Sequence, residues 1–211
     1  MKIKNIIWDW NGTLVDDAYL FVDIMNLTLE KHGLPQIDIN DYKNNFCFPI
    51  KNYWEWLGFS FNDNTFNVMN KEFLRLYQQK MYEPLLQKKA RVVLDNFHKR
   101  GFQQFVLSAS EHRVLNSLII KYNINHYFSD VLGVDNLNAL GKESLGRFLI
   151  TKHLLNPNES VVIGDTEYDF RVADSLGCRC ILVSCGHFSR SRLLGSGRDV
   201  VDSIQEILRL F

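Results

Sequence analysis

Five short apolar runs punctuate the chain, at residues 6–8, 104–107, 128–132, 161–163 and 180–183, and each ends at a small or polar residue. Helix-length segments separate them, the alternation that a parallel sheet covered on both faces produces. The pattern predicts an α/β fold. Between the first two runs the periodicity turns helical. Leu20, Ile24 and Leu27 lead to His32 and Gly33, and Phe73, Leu74, Tyr77 and Met81 follow later at helical spacing. Pro35 and Pro49 break this stretch into several helices joined by turns. After Gln87 a helix is expected over Ala90–Lys99, closed by Gly101. The organisation is a Rossmann-like parallel-sheet core, residues 1–16 and 83–211, interrupted by a helical module at 17–82.

Composition narrows what such a fold could do. With 211 residues, 46% of them hydrophobic, the chain can bury a good core, and a formal net charge of zero leaves no electrostatic footprint for nucleic acid. Basic residues such as Lys88, Lys89 and Arg91 are followed soon by Asp95. The first apolar run is too short for a signal peptide or membrane span, so the expected setting is the cytoplasm, with neither a membrane nor a nucleic acid as partner. Cys178, Cys180 and Cys185 flank a strand-like run without the paired spacing of structural zinc, and read as packed thiols.

Four stretches could carry chemistry. In Asp9-Trp10-Asn11-Gly12-Thr13-Leu14 a carboxylate stands where a strand ends and a glycine lets the backbone turn, at the edge of a parallel sheet where ligands gather. Asn11-Gly12 could equally be a simple tight turn, and these residues alone leave both readings open. Residues 161–169 repeat the theme, with Asp165 at the strand end and Asp169 four positions on. Two acids so placed repel; a divalent cation, or more simply a helix dipole, would relieve them. The recurrence of Asp9 and Asp165 favours the cation, because hard cations take several oxygen ligands. Lys142, after Gly141, stands where a helix over 144–154 would disfavour positive charge, which a nearby anion would explain, although a lone lysine is more often solvated. Ser108, beside Ala109, ends another strand and could bind a phosphate oxygen, while Ser110 could cap a helix starting at Glu111.

In this order the four stretches resemble the haloacid dehalogenase superfamily, in particular its phosphoglycolate-phosphatase-like branch with a helical cap inserted after the first strand. The resemblance spans essentially the whole chain: Asp9 to Thr13 for the DxDGT motif, Ser108 for the strand-end hydroxyl, Lys142 for the lysine, and Gly164, Asp165 and Asp169 for GDxxxD. It implies Mg²⁺-dependent hydrolysis of a small phosphorylated metabolite through an aspartyl-phosphate on Asp9. Asp9, the Asn11 carbonyl, Asp165 and Asp169 would serve the metal. Lys142, Ser108, Ala109, Gly12 and Thr13 would bind the phosphate, Thr13 also helping to shape the loop. The cap aromatics Phe46, Phe48, Tyr53, Trp54 and Trp56 become specificity candidates, most of them expected to be cap core.

One position departs from the motif. Where the family carries an acid that protonates the leaving group and activates water, this chain has Asn11. An amide cannot do this, and a lost general acid/base typically costs about 10²- to 10⁴-fold. Glu167, Tyr168 or His187 could substitute. Two other functions compete with a phosphatase: a regulatory protein that binds a phosphorylated metabolite with little turnover, suggested by Asn11, and a metal-independent 2-haloacid dehalogenase, which has no need of Gly164-Asp165.

Overall fold

A computed structural model describes residues 2–61, 63–134 and 141–211, the side chains of residues 63 and 64 excepted. Its centre is β1 (Asn5–Trp8), every residue of which is buried. Alternation sends Ile6 and Trp8 to one apolar cluster and Ile7 to the other, so the strand must be covered on both sides. The same division holds in β4 (Gln103–Glu111), β6 (Ser160–Gly164) and β7 (Arg179–Val183): Val106, Ile163 and Ile181 point one way, Phe105, Val162 and Cys180 the other. With β5 (Asp130–Val134) and β8 (Asp199–Val201) they form a parallel sheet in the order β5-β4-β1-β6-β7-β8. Helices α5 (Ala90–Lys99) and α6 (His112–Lys121) cover one face. The other takes α7 (Lys142–Lys152) and α8 (Glu167–Leu176), while the short α9 (Arg190–Leu194) follows β7.

Four helices lie between β2 (Val15–Asp16) and β3 (Leu85–Leu86): α1 (Ala18–Lys31), α2 (Ile39–Asn45), α3 (Ile50–Trp56) and α4 (Asp63–Lys80). The two short strands pair antiparallel, Val15 with Leu86 and Asp16 with Leu85, and so hold the entry to the helical module against its exit. Asp38 and Asp41 form a reciprocal capping box that starts α2. Leu20 and Ile24 are buried in α1 whereas Leu27, on the same predicted stripe, is 41% exposed. Among the described residues no helix is long and apolar enough to cross a membrane.

Several boundaries differ from the sequence reading. β4 runs on to Glu111 through a register shift after Leu107, so Ser110 is not a helix cap; Glu111 takes that place, accepting from the backbone N–H of Arg113 and Val114. β5 starts at Asp130 because residues 125–127 form a 3₁₀ turn that uses up the Phe128 N–H. α7 begins at Lys142 rather than Ser144, with the lysine turned inward. The two strands β2 and β3 and the edge strand β8 are too short to leave an apolar run in the sequence.

Candidate active site

Register fixes the site. Trp8 lies opposite Val106 on one side and Ile163 on the other, so Asp9 and Asp165, which follow β1 and β6, emerge beside Ser108, where β4 shifts register after Leu107. At β1 the chain order reverses, with β4 and β5 on one flank and β6 to β8 on the other, the crevice where open parallel sheets bind ligands. All three residues are buried.

Lys142 reaches into this crevice from the start of α7 and donates to Asp9 Oδ1 at 2.5 Å and Asp169 Oδ1 at 2.6 Å. This answers why a lysine is tolerated at a helix amino terminus: two carboxylates outweigh the dipole. Burial opposes its charge, but Asp169 and Asp9 hold its ammonium protonated, above the ordinary lysine range. Asp169 belongs to the first turn of α8, where its Oδ2 accepts from the N–H of Asp165 and Thr166 and from the Thr166 hydroxyl. Burial raises its pKa, yet Lys142 and Thr166 bring it below the usual carboxylate value. Asp9 lacks such support; burial lifts it to about 6, against the pull of Lys142.

Asp165 is the least compensated acid. Its Oδ1 accepts from the Thr13 hydroxyl at 3.1 Å and its Oδ2 from the His187 N–H at 2.6 Å, but no Lys or Arg side chain among the described residues pairs with it. Burial pushes its carboxyl up to about 8, opposed by His187 and reinforced by Asp9 and Asp169. Gly12 and Gly186 make room for this side chain: a Cβ on either would stand 2.2 Å or 2.1 Å from Asp165 Oδ2. Gly12 also takes φ +75, which favours glycine. Asp9, Asp165 and Asp169 each present an oxygen within 4.8 Å of the others, the one such group among the described residues that could hold a metal. Hard oxygen donors with uncompensated charge suit Mg²⁺. Asp169 is already saturated by Lys142 and Thr166, so it fits the part of orienting the site better than that of a direct ligand.

Asn11 is locked by three partners. Its Nδ2 donates to Asp17 Oδ2 at 2.6 Å and to the Tyr77 hydroxyl at 2.7 Å, while its Oδ1 accepts from Ser110 Oγ at 2.7 Å. Asp17, fully buried, also accepts from the Gly12 N–H and the Tyr77 hydroxyl, and His187 Nε2 lies 3.3 Å from its Oδ1. Burial works against charge on His187, but Asp17 raises its pKa above the ordinary histidine value. The other ring nitrogen meets the Tyr42 hydroxyl at 2.9 Å. The sequence reading missed Asp17 as a site residue and used Tyr77 only as a helix marker. The doubled acid at Asp16-Asp17, just past Asn11, was the available signal.

Ser108 and Ala109 line the cavity together with Asp9, Asn11, Lys142, Asp165 and Asp169, whereas Gly12 and Thr13 lie beneath it, their donors spent on Asp17 and Asp165. Ser108 Oγ accepts from the Ser110 N–H. Of the aromatics in the helical module, Phe46, Phe48 and Trp54 face the cavity, while Tyr53 is buried and stacks on the half-exposed Trp56. Tyr168 and His187 line the cavity; Glu167 does not, and pairs with Arg171. Cys178, Cys180 and Cys185 are free thiols, and burial lifts all three above the usual range.

Comparison with known proteins places this geometry. A family model described as haloacid dehalogenase-like hydrolase matches residues 6–183. A phosphoglycolate phosphatase of Vibrio vulnificus is 22% identical over 223 residues, covering 98% of this chain and 95% of that protein. A haloacid dehalogenase-like family hydrolase from Streptococcus pneumoniae superposes with a TM-score of 0.83 at 20% identity, over 99% of this chain and 98% of that one. A chain from Haemophilus somnus described as a predicted phosphoglycolate phosphatase gives 0.79 at 20% identity, over 100% and 98%.

Proposed function

The chain belongs to the haloacid dehalogenase-like hydrolase family, and on that premise we propose that it is a phosphatase acting on a small phosphomonoester through Asp9. The observation that carries this reading is the meeting of Asp9, Ser108 and Asp165, from adjacent strands, with Lys142 from the start of α7, which bridges Asp9 and Asp169. Residues 17–82 serve as the cap over the core of 1–16 and 83–211.

Asp9 attacks phosphorus, the bond to the ester oxygen breaks with its electron pair going to that oxygen, and the alkoxide leaves from a phosphorylated Asp9 and takes a proton from solvent water. Water then cleaves the phospho-Asp9 bond and releases phosphate. Lys142, Ser108 and the backbone at Ala109 hold the phosphoryl oxygens and stabilise the charge that develops on them. Asp9, the Asn11 carbonyl and Asp165 would hold Mg²⁺, with Asp169 orienting the group. The metal would screen the two anions from each other and polarise the phosphoryl group. Asn11 gives and takes no proton, so transfer favours good leaving groups and release from Asp9 is slow.

The test is phosphate release from a panel of phosphate esters with and without Mg²⁺, against an Asp9→Asn control. Removing a nucleophile from a concerted constellation is expected to cost roughly 10⁴-fold or more. Equal release by the control would sink the assignment of Asp9. Asn11 also favours a second reading, a protein that binds a phosphorylated metabolite in a Mg²⁺-dependent manner with little turnover. Tight binding with no release above the control would select it.

A further inference from the structure

The cavity above Asp9 has a volume of about 500 Å³, a size that encloses drug-sized molecules. Its floor is charged, but its walls are not. Met25, Phe46, Trp54, Phe73, Leu74 and Met81 form the side contributed by the helical module. Lys142 is the one Lys or Arg among the described residues at the cavity, and it is committed to Asp9 and Asp169. Met1, Asn62 and residues 135–140, outside the described set, contain neither Lys nor Arg. His187 is committed to Asp17 and Tyr42, and the charged residue that the β4–α6 junction brings to the rim is an acid, Glu111.

Among the described residues a second anion on the substrate would find no cation free of a carboxylate partner. An unpaired carboxylate taken out of water costs several kcal/mol, whereas an apolar group gains by the same burial. The polar groups that these walls offer, Asn70 and Gln78, are neutral. We propose that this site selects phosphate monoesters of bulky, uncharged, largely apolar alcohols carrying at most a neutral hydrogen-bond acceptor, and discriminates against small doubly anionic esters such as phosphoglycolate. This substrate class rests on the phosphatase reading above.

The experiment compares kcat/KM of the full chain with Mg²⁺ for benzyl phosphate and for phosphoglycolate, both esters of primary alcohols, so that the bond broken is of one kind. A preference of about 10²-fold or more for benzyl phosphate is expected, since a site that leaves a buried polar group unpaired rejects it strongly. Equal or better use of phosphoglycolate overturns the proposal. Leu74→Lys places an ammonium at the wall where the side chain is half exposed and tolerates charge; it should narrow the ratio about tenfold, and an unchanged ratio also overturns it. If neither ester is turned over above Asp9→Asn, the phosphatase reading fails by itself. Calorimetric binding of benzylphosphonate and phosphonoacetate with Mg²⁺ then decides the selectivity: tighter benzylphosphonate supports it, and tighter phosphonoacetate, or no binding of either, refutes it.

Discussion

Around Asp9 the chain buries three carboxylates whose oxygens approach within 4.8 Å of one another and an ammonium that pairs with two of them, while the helices facing them across the same cavity present Phe46, Trp54 and Phe73. The floor obeys electrostatics, so each of its groups is defined by the partner it cannot lose. The walls obey packing, so they tolerate exchange among residues of similar size. Reaction chemistry is therefore specified by few residues at fixed positions, and substrate choice by many that are individually replaceable.

Lys142→Met sets this contrast at its largest. The substitution keeps much of the side-chain volume but leaves Asp9 and Asp169 facing each other without a cation. Removing one partner of a buried pair is expected to cost about 3–5 kcal/mol of stability. Loss of a preorganised charge at the phosphoryl oxygens should lower kcat a further ~10²- to 10³-fold. Urea unfolding and steady-state rates measure the two effects separately. The wall substitution Trp54→Phe should change KM more than kcat. A kcat loss there as large as that of Lys142→Met would erase the distinction between floor and wall.

Asn11 sits where the two regions join, since its amide ties the loop after β1 to Asp17, at the entry to the helical module, and to Tyr77 of α4. Asn11→Asp would set a carboxylate at about the present 2.6 Å from Asp17 Oδ2 and remove the donor between them. Like charges at that distance, with one hydrogen bond to a buried carboxylate lost, should cost about 1–3 kcal/mol. The charge swap Asn11→Asp with Asp17→Asn restores one acid and one amide to the pair. It is expected to recover most of the stability and to speed phosphate release, because the acid then stands beside Asp9. Denaturation midpoints and release rates of the two variants check this; equal destabilisation by both would show that the pair acts by shape rather than charge.

The strands that carry the floor were legible because a parallel strand covered on both faces must be a continuous apolar run, and the polar residue that ends it stands out, as Asp9, Ser108 and Asp165 do. Lys142 was legible as an anomaly, a cation at a helix start. The Asn11, Asp17 and Tyr77 contact was not, because it joins residues up to 66 positions apart that no local period relates. Nor was the division of the aromatics into those facing the cavity, such as Trp54, and those packed within the helical module, such as Tyr53. Both kinds are apolar and helical, and only tertiary packing separates them.

A pH dependence also divides the two regions. Asp165 is raised to about 8 and Asp9 to about 6, from 3.8, mainly by burial. Between the unfolded and folded values the metal-free native state holds protons that the unfolded chain has released, so stability falls as pH rises through that window. The metal-free protein should therefore melt at a lower temperature at pH 8 than at pH 5. The apolar walls add no titration to this trend. A divalent cation at Asp9 and Asp165 replaces those protons, so saturating Mg²⁺ should raise the melting temperature more at pH 8 than at pH 5. Ligand at about 100 times its Kd contributes about 2.7 kcal/mol. Asp165→Asn removes the larger of the two titrations and an oxygen of charge, and is expected to flatten the pH dependence and abolish most of the Mg²⁺ effect together. Calorimetric scans at both pH values, with and without Mg²⁺, measure all three quantities. A Mg²⁺ shift that survives Asp165→Asn would move the cation away from this cluster, and with it the electrostatic account of the floor.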